Sequence, residues 1–271
     1  MADGPYCATT HSWDGRYHSM TFRNAEESHA HSLETLNILY EYDDFMESVG
    51  TVLDLGCGTG LDMEWWATRT TRDDPPRPLN IRCVGVDQQA SIPATGKGLN
   101  IGYQAGDFEN NILVPKRTTF DVLWSHDSFQ YSVNPIGTLS YWWNIAAENS
   151  MLVLIVPETL AIDRGQLAFY QSSGCYYHHT MVSLIHMLAL SGWDCRSGFF
   201  KKEPNDPWLY AIVYKGSQPP LDPKKTTWYD LVDKQLLPDS AVQSVQRHGH
   251  LKQQDLILTW LDKSISWLGR H

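Results

Sequence analysis

No pair among the five cysteines, Cys7, Cys57, Cys83, Cys175 and Cys195, has C-x-x-C spacing. An odd, scattered set of this kind reads as free thiols in a reducing compartment and argues against a zinc site. No apolar run approaches the roughly 18 residues that a membrane span needs. The N-terminal Met1-Ala2-Asp3-Gly4-Pro5 lacks the basic and apolar pattern of a signal segment. The expectation is a soluble cytoplasmic protein with no membrane partner. Positive charge is also scarce. Lys and Arg number 21 against 31 Asp and Glu, for a net charge of −10, and no basic run exceeds Lys201-Lys202. Nucleic acid phosphates call for basic surface, so a nucleic acid partner is disfavoured. A neutral or cationic small molecule fits better.

What is present is ordinary globular sequence. The 271 residues, 42% hydrophobic and 19% charged, allow one large domain, or one with an appendage. The 11 Trp and 13 Tyr imply a thick core or an aromatic-lined pocket, and composition does not separate the two.

The organising stretch is Val52-Leu53-Asp54-Leu55-Gly56-Cys57-Gly58-Thr59-Gly60. An apolar run ends in an acid and three alternating glycines follow, which predicts a buried first strand, a tight turn and a helix start. Glycines without Cβ let a ligand lie against the main chain, facing the N–H groups of the helix start. Dinucleotide sites want G-x-G-x-x-G. Here the third glycine comes one residue early, and Leu61 holds the place reserved for Gly. Asp54 beside the turn would repel a pyrophosphate and suits a ligand with a positive end. Both features oppose an NAD-dependent oxidoreductase.

Asp54-Leu55-Gly56-Cys57-Gly58-Thr59-Gly60 resembles motif I of the class I S-adenosylmethionine (SAM)-dependent methyltransferases. The resemblance extends over residues 50–215. It implies a Rossmann-like α/β fold, a doubly wound seven-stranded sheet that is mostly parallel with an antiparallel last strand. It also implies that SAM binds and that S-adenosylhomocysteine (SAH) is the product. Strand 81–87 ends in Asp87, where the resemblance places the ribose ligand. Strand 101–108 exits through Gly106-Asp107-Phe108, with Asp107 toward the exocyclic amine of adenine and Phe108 on the ring. Phe120-Asp121 through Tyr131 resembles the F-D-x-x-x-S-x-D stretch of small-molecule methyltransferases, especially those acting on amines. The Asn/Asp-Pro-Pro-aromatic tetrad of nucleic-acid amino-methyltransferases is missing, and Asn134-Pro135-Ile136 does not replace it.

The cofactor contacts so implied are Asp54, Gly56, Cys57, Gly58, Gly60, Asp87, Gln88, Asp107, Phe108 and Ser125. His126, Asp127 and Tyr131 are the candidates to touch the methyl acceptor. His126 has a pKa suited to taking a proton near neutrality, although a hydrogen-bonding role toward SAM or the backbone stands beside that reading. His178 and His179 form a second candidate pair. Neither His126 with Asp127 nor the His178-His179 pair has metal-ligand company, so no metal is expected.

Around this core the sequence predicts an N-terminal lid or arm over 1–24, a methyltransferase domain over 25–215, a linker over 216–225 and a helical C-terminal appendage over 226–271. Helices are expected over 25–48, 61–69, 138–149 and 178–191, and a broken helix over 88–98. Strands are expected over 150–157, 193–201 and 208–215, the last two as a hairpin turning at Asn205-Asp206-Pro207. Residues 158–177 read as a long loop, a frequent place for substrate elements. The expected function is methyl transfer from SAM to an N or O nucleophile of a small molecule, with the acidic balance leaning toward an amine. A SAM-binding module that assembles, as a homo-oligomer for instance, through its C-terminal helices is the reading from a different class. Protein or RNA methylation is a third.

Overall fold

The seven strands of the sheet carry the fold, and their alternation explains which residues meet. The structure, a computed structural model, describes residues 25–42, 44–88, 98–110, 112, 118–158, 175, 177–202 and 208–256. The expected lid over 1–24, most of the broken helix, nearly all of the 158–177 loop, the hairpin turn and the tail beyond 256 lie outside the described residues.

Helix α1 (Ala25–Tyr42) leads into β1 (Thr51–Leu55), α2 (Leu61–Ala67), β2 (Arg82–Asp87), β3 (Ile101–Ala105) and β4 (Phe120–His126). Then come α3 (Pro135–Ile145), β5 (Ala146–Pro157), α4 (Met181–Leu190), β6 (Trp193–Lys201) and β7 (Trp208–Lys215). The chain continues through α5 (Trp228–Asp233) and α6 (Asp239–His248). The strand order is β3-β2-β1-β4-β5-β7-β6. β1 pairs in parallel with both β2 and β4, and β4 in parallel with β5, whereas β7 runs antiparallel to β5 and β6. The last strand in sequence is thus antiparallel as expected. It does not form the edge, however, because it inserts between β5 and β6.

Successive strand residues point to opposite faces. Val52, Val122, Trp124, Val153 and Ile155 join a core with Leu36 and Leu39 of α1 and Met63 and Trp66 of α2. Leu53, Leu55, Leu123, Leu152 and Leu154 join a second core with Leu139 and Trp142 of α3 and Leu184 and Leu188 of α4. Both faces are covered, so the central strands read as continuous apolar runs rather than alternating ones. Leu231, Leu236, Leu237, Ala241 and Val245 of the C-terminal segment are buried in that second core. The Leu236 carbonyl accepts from the Cys195 N–H of β6 at 3.2 Å.

Several element boundaries differ from the sequence expectation for local reasons. The α3 start moves back to Pro135, because Asn134 caps it by accepting from the Gly137 N–H at 3.2 Å and proline suits the first helical position. α3 ends at Ile145, and β5 begins at Ala146 by pairing with Phe120 across an irregular register. The expected 25–48 helix divides into α1 and a 3-10 turn at Asp44–Ser48.

Candidate functional site

The two crossover directions of the sheet part between β1 and β4. From β1 the chain winds outward to β2 and β3, and from β4 it winds the other way to β5. At such a switch point the carboxyl ends of the strands open a crevice. β1, β2 and β4 each deliver candidate residues there.

Gly56, Gly58 and Gly60 have φ of +88°, +49° and +81°, in the region that L side chains avoid. Two of them are also held by close neighbours. A Cβ on Gly56 would lie 2.3 Å from Ser128 Cβ, and one on Gly60 would lie 2.0 Å from the Tyr103 hydroxyl. A Cβ on Gly58 would meet no atom of the described residues within 4 Å. The turn is thus braced at both ends and open in the middle. Its N–H groups are partly spent: Gly56 and Cys57 donate to the Val86 carbonyl at 2.8 and 3.2 Å, and Gly58 donates to Asp87 Oδ2 at 3.0 Å. Asp87, the predicted ribose ligand, therefore also locks the turn.

Asp54 lies on the α2 face and is only 3% exposed. Burial, with Asp62 and Asp87 nearby, holds its carboxyl well above the usual range. Burial does the same to the Cys57 thiol, helped by Asp54 and Asp87. Gln88 is exposed just past β2. Asp107 is exposed and its Oδ1 accepts from the Glu109 N–H at 2.8 Å. Phe108 turns inward against Trp142, with ring centroids 6.0 Å apart, and its carbonyl accepts from Trp142 Nε1. Ser125 is fully buried and shares a 2.7 Å hydrogen bond with Ser128, whose hydroxyl donates to the Leu55 carbonyl. Ser125 thus holds the loop after β4 to the end of β1.

Along β4, Trp124 and His126 face α1, while Ser125 faces the other side. His126 Nε2 lies 2.8 Å from His31 Nδ1, and its Nδ1 lies 3.4 Å from the Ser28 hydroxyl. Burial pushes the His126 imidazole down to about 4, against the pull of Asp62. Asp127 leaves the strand with φ +51°. Burial pushes its carboxyl up to about 7, although Gln130 Nε2 donates to it at 2.6 Å. Gln130 is 1% exposed, and its Oε1 has no hydrogen-bond partner among the described residues. Tyr131 closes this 3-10 turn, half-buried against the second core. His179 stands apart from His126, stacked on Phe129 at 5.3 Å, and burial pushes it down to about 4.

Sequence reasoning missed the α1 residues of this region. Asp62, in the first turn of α2, takes hydrogen bonds from Ser32 at 2.6 Å and Trp124 Nε1 at 2.8 Å, and lies 2.5 Å from His29 Nδ1. One carboxylate ties α1, α2 and β4 together. The Ser- and His-rich run Ser28-His29-Ala30-His31-Ser32, ahead of the apolar positions Leu33, Leu36 and Leu39, is the signal that could have found it. Among the described residues no group of three or more His, Cys, Asp or Glu is placed to hold a metal ion.

Strand order, the antiparallel β7 and the glycine turn at the switch point define a Rossmann-like sheet of the kind the motif resemblance implies. No family model matches the chain, and no curated protein matches it. Among solved structures it is similar to the 1,6-didemethyltoxoflavin-N1-methyltransferase of Burkholderia thailandensis, solved with S-adenosylhomocysteine. Identity is 13%, the TM-score is 0.46, and the match covers 69% of this chain and 84% of that one. It is similar to the plantazolicin methyltransferase BpumL, again with S-adenosylhomocysteine, at 15% identity and TM-score 0.48, covering 70% and 87%. A Haloferax volcanii complex of a methyltransferase with its Trm112 activator gives 12% identity and TM-score 0.48, covering 70% and 94%. Likeness at this level adds nothing to what the strand order itself establishes.

Proposed function

We propose that this protein is a SAM-dependent methyltransferase that transfers a methyl group to an N or O nucleophile of a small molecule. The observation that carries the reading is the braced, open glycine turn between two acids at the switch point. Ser128 and Tyr103 fix the turn from outside, and above Gly58 there is room for a ligand to touch the main chain. Asp54 supports a cationic ligand end. Its carboxyl is buried near two other acids, and a positive group placed there would relieve that repulsion. Gln130 Oε1, buried and unpartnered among the described residues, suits a ligand N–H or O–H.

SAM would supply an electrophilic methyl on its sulfonium. The chain's own residues would do the rest. Gly56, Cys57, Gly58 and Gly60, with Ser125 holding the loop beneath, shape the amino-acid end. Asp54 offsets its positive charge, Asp87 with Gln88 takes the ribose, and Asp107 takes the adenine amine, with Phe108 supporting it from the core side. Methyl transfer by in-line displacement depends chiefly on approach and alignment. His126, Asp127 and Tyr131 stand at the carboxyl end of β4, where the acceptor would lie. The acidic surface favours a neutral or cationic acceptor, with an amine first. A cytoplasmic setting remains part of the proposal, and no described helix is long and apolar enough to cross a membrane.

Calorimetry with SAM and SAH tests the cofactor reading. Both should bind the wild-type chain, and Gly58→Val should abolish binding while the circular dichroism of the fold is retained. Equal binding by Gly58→Val would reject the assignment. Asp87→Ala is the poorer probe, because Asp87 also holds the turn through Gly58. A screen of methyl acceptors with labelled SAM then identifies the substrate.

A further inference from the structure

Glu109, just past β3, is only 7% exposed, and among the described residues no cation pairs with it. A buried carboxylate without a cation depends on hydrogen-bond donors and dipoles. Both come from the start of α3. Glu109 Oε1 accepts from the Val133 N–H at 2.8 Å, and Oε2 lies 3.4 Å from the Thr138 hydroxyl. Val133 and Thr138 flank the cap residue Asn134, so the charge lies at the positive end of an 11-residue helix. A carboxylate only accepts, so Thr138 donates to it. The Ser132 hydroxyl, 2.8 Å from Thr138 Oγ1, then donates to Thr138. Ser132 and Thr138 are both buried. Glu109 thus grips the chain twice, at Val133 directly and at Ser132 through Thr138.

The loop held in this way is the one that leaves β4 toward the acceptor. It starts at Asp127, passes through the 3-10 turn Phe129–Tyr131 and ends at Asn134. Ser128 fastens its first half to β1 through the Leu55 carbonyl. Its second half leans on Glu109. The Val133 side chain is 58% exposed, so the N–H bond rather than apolar burial fixes that residue. Toward the cofactor, the Glu109 N–H donates to Asp107 Oδ1 at 2.8 Å, and the Phe108 carbonyl accepts from Trp142 Nε1 of α3 at 2.8 Å. Asp107-Phe108-Glu109 therefore carries the candidate adenine contact at one end and the loop anchor at the other, with α3 pinning it between.

We propose that Glu109 is a positioning residue that ties the loop over 127–134 to the adenine side, so that adenosine held at Asp107 orders the loop carrying Asp127 and Tyr131. The inference rests on the methyltransferase reading. A ligand on Asp107 restrains the turn that Asp107 shares with Glu109. Glu109 passes that restraint to the Val133 N–H and, through Thr138, to Ser132. Methyl transfer depends on alignment, and this linkage aligns the acceptor side once the cofactor is in place. Coupling between sites is reciprocal, so the acceptor binds the cofactor-loaded protein more tightly than the empty one.

Amide hydrogen exchange on the full chain, with and without SAH, tests the linkage. In the wild type, SAH should slow exchange at Val133 and its loop neighbours by roughly fivefold or more. In Glu109→Ala the ligand-free Val133 amide should exchange roughly tenfold faster or more, with the β1 and β4 amides unchanged, and bound SAH should no longer slow it. Glu109→Gln keeps an acceptor for the Val133 N–H and should restore both behaviours, which a general loss of packing would not predict. Thr138→Val, which cuts only the link to Ser132, should weaken the SAH effect at Ser132 and spare it at Val133. Equal slowing by SAH in wild type and Glu109→Ala overturns the proposal, as does a wild-type loop that bound SAH leaves unchanged. If Glu109→Ala does not fold, the Gln and Val variants decide by the same readings. Absence of SAH binding to the wild type rejects the cofactor reading and the coupling with it. The ligand-free ratio at Val133 still decides whether Glu109 holds the loop, and a ratio near one shows that it does not.

Discussion

Gly56 and Gly58 stand two residues apart with the same sign of φ, yet they do different jobs. At Gly56 a methyl group meets Ser128 Cβ, which cannot swing aside without breaking its bonds to Leu55 and Ser125. Gly56→Ala should therefore lower stability by on the order of 3 kcal/mol, from left-handed backbone strain plus a lost buried hydrogen bond. At Gly58 the methyl meets none of the described residues. Gly58→Ala should cost only about 1 kcal/mol of stability, from strain alone, while strongly weakening SAM binding. Urea unfolding and calorimetry on the two variants separate the roles, and unchanged SAM binding by Gly58→Ala would show that the open side of the turn has no ligand-binding purpose. Two adjacent residues also titrate in opposite senses. His126, pushed down to about 4 from an ordinary 6.5, binds its proton more weakly when folded. Its contribution is thus present above 6.5 and lost as pH falls toward 4. Asp127, raised from 3.8 to about 7, binds its proton more tightly when folded, so stability declines as pH rises from about 4 to 7. The two trends offset each other in the wild type. His126→Gln should unmask a decline in stability between pH 4 and 7, and Asp127→Asn should steepen the loss on acidification below 6.5. Parallel pH profiles for the two variants would contradict this.

At the scale of elements, α1 is fastened by Asp62 rather than by apolar packing alone. Asp62→Ala removes the acceptor for Ser32 and for the Trp124 indole N–H and strands both. The expected loss is on the order of 3 kcal/mol, with hydrogen exchange quickening first in α1. Uniform acceleration across β1, β4 and β5 would mean that α1 has no separate opening. The same helix shows how far the sequence could be read. The strands, the glycine turn and the acids at the ends of β1 and β2 were legible as positions, because apolar runs, a glycine pattern and strand-end positions are local signals. The α1 contribution was not. Leu36 and Leu39 explain its helical period and draw attention to the apolar face. His31, Ser28 and Asp62, by contrast, acquire meaning only when residues 95, 98 and 33 positions away in sequence come within hydrogen-bond reach. Phe108 illustrates the opposite case. Its place after β3 was visible, but its burial against Trp142 depended on where α3 would pack.

Across the whole molecule, the C-terminal segment is where the sequence alone was least informative. Read as an appendage, it could have been cover or an assembly surface. Three of its described leucines face inward: Leu231 is 0% exposed, Leu236 3% and Leu237 1%, all within the core that also holds Leu184 and Leu188 of α4. The Leu236 carbonyl bonds to the β6 backbone as well. β6 is the sheet edge, and an open edge invites pairing with other chains. The segment therefore serves to bury one face of α4 and to occupy part of that edge. Leu237→Ala should cost about 2–5 kcal/mol, as expected for a buried leucine in a packed core. Tyr229→Ala, at an exposed position on α5, should cost little. Thermal unfolding should remain one cooperative transition in both variants. A second, earlier transition in Leu237→Ala that leaves SAM affinity intact would mean that 226–256 unfolds by itself, and the segment would then be a separate unit after all.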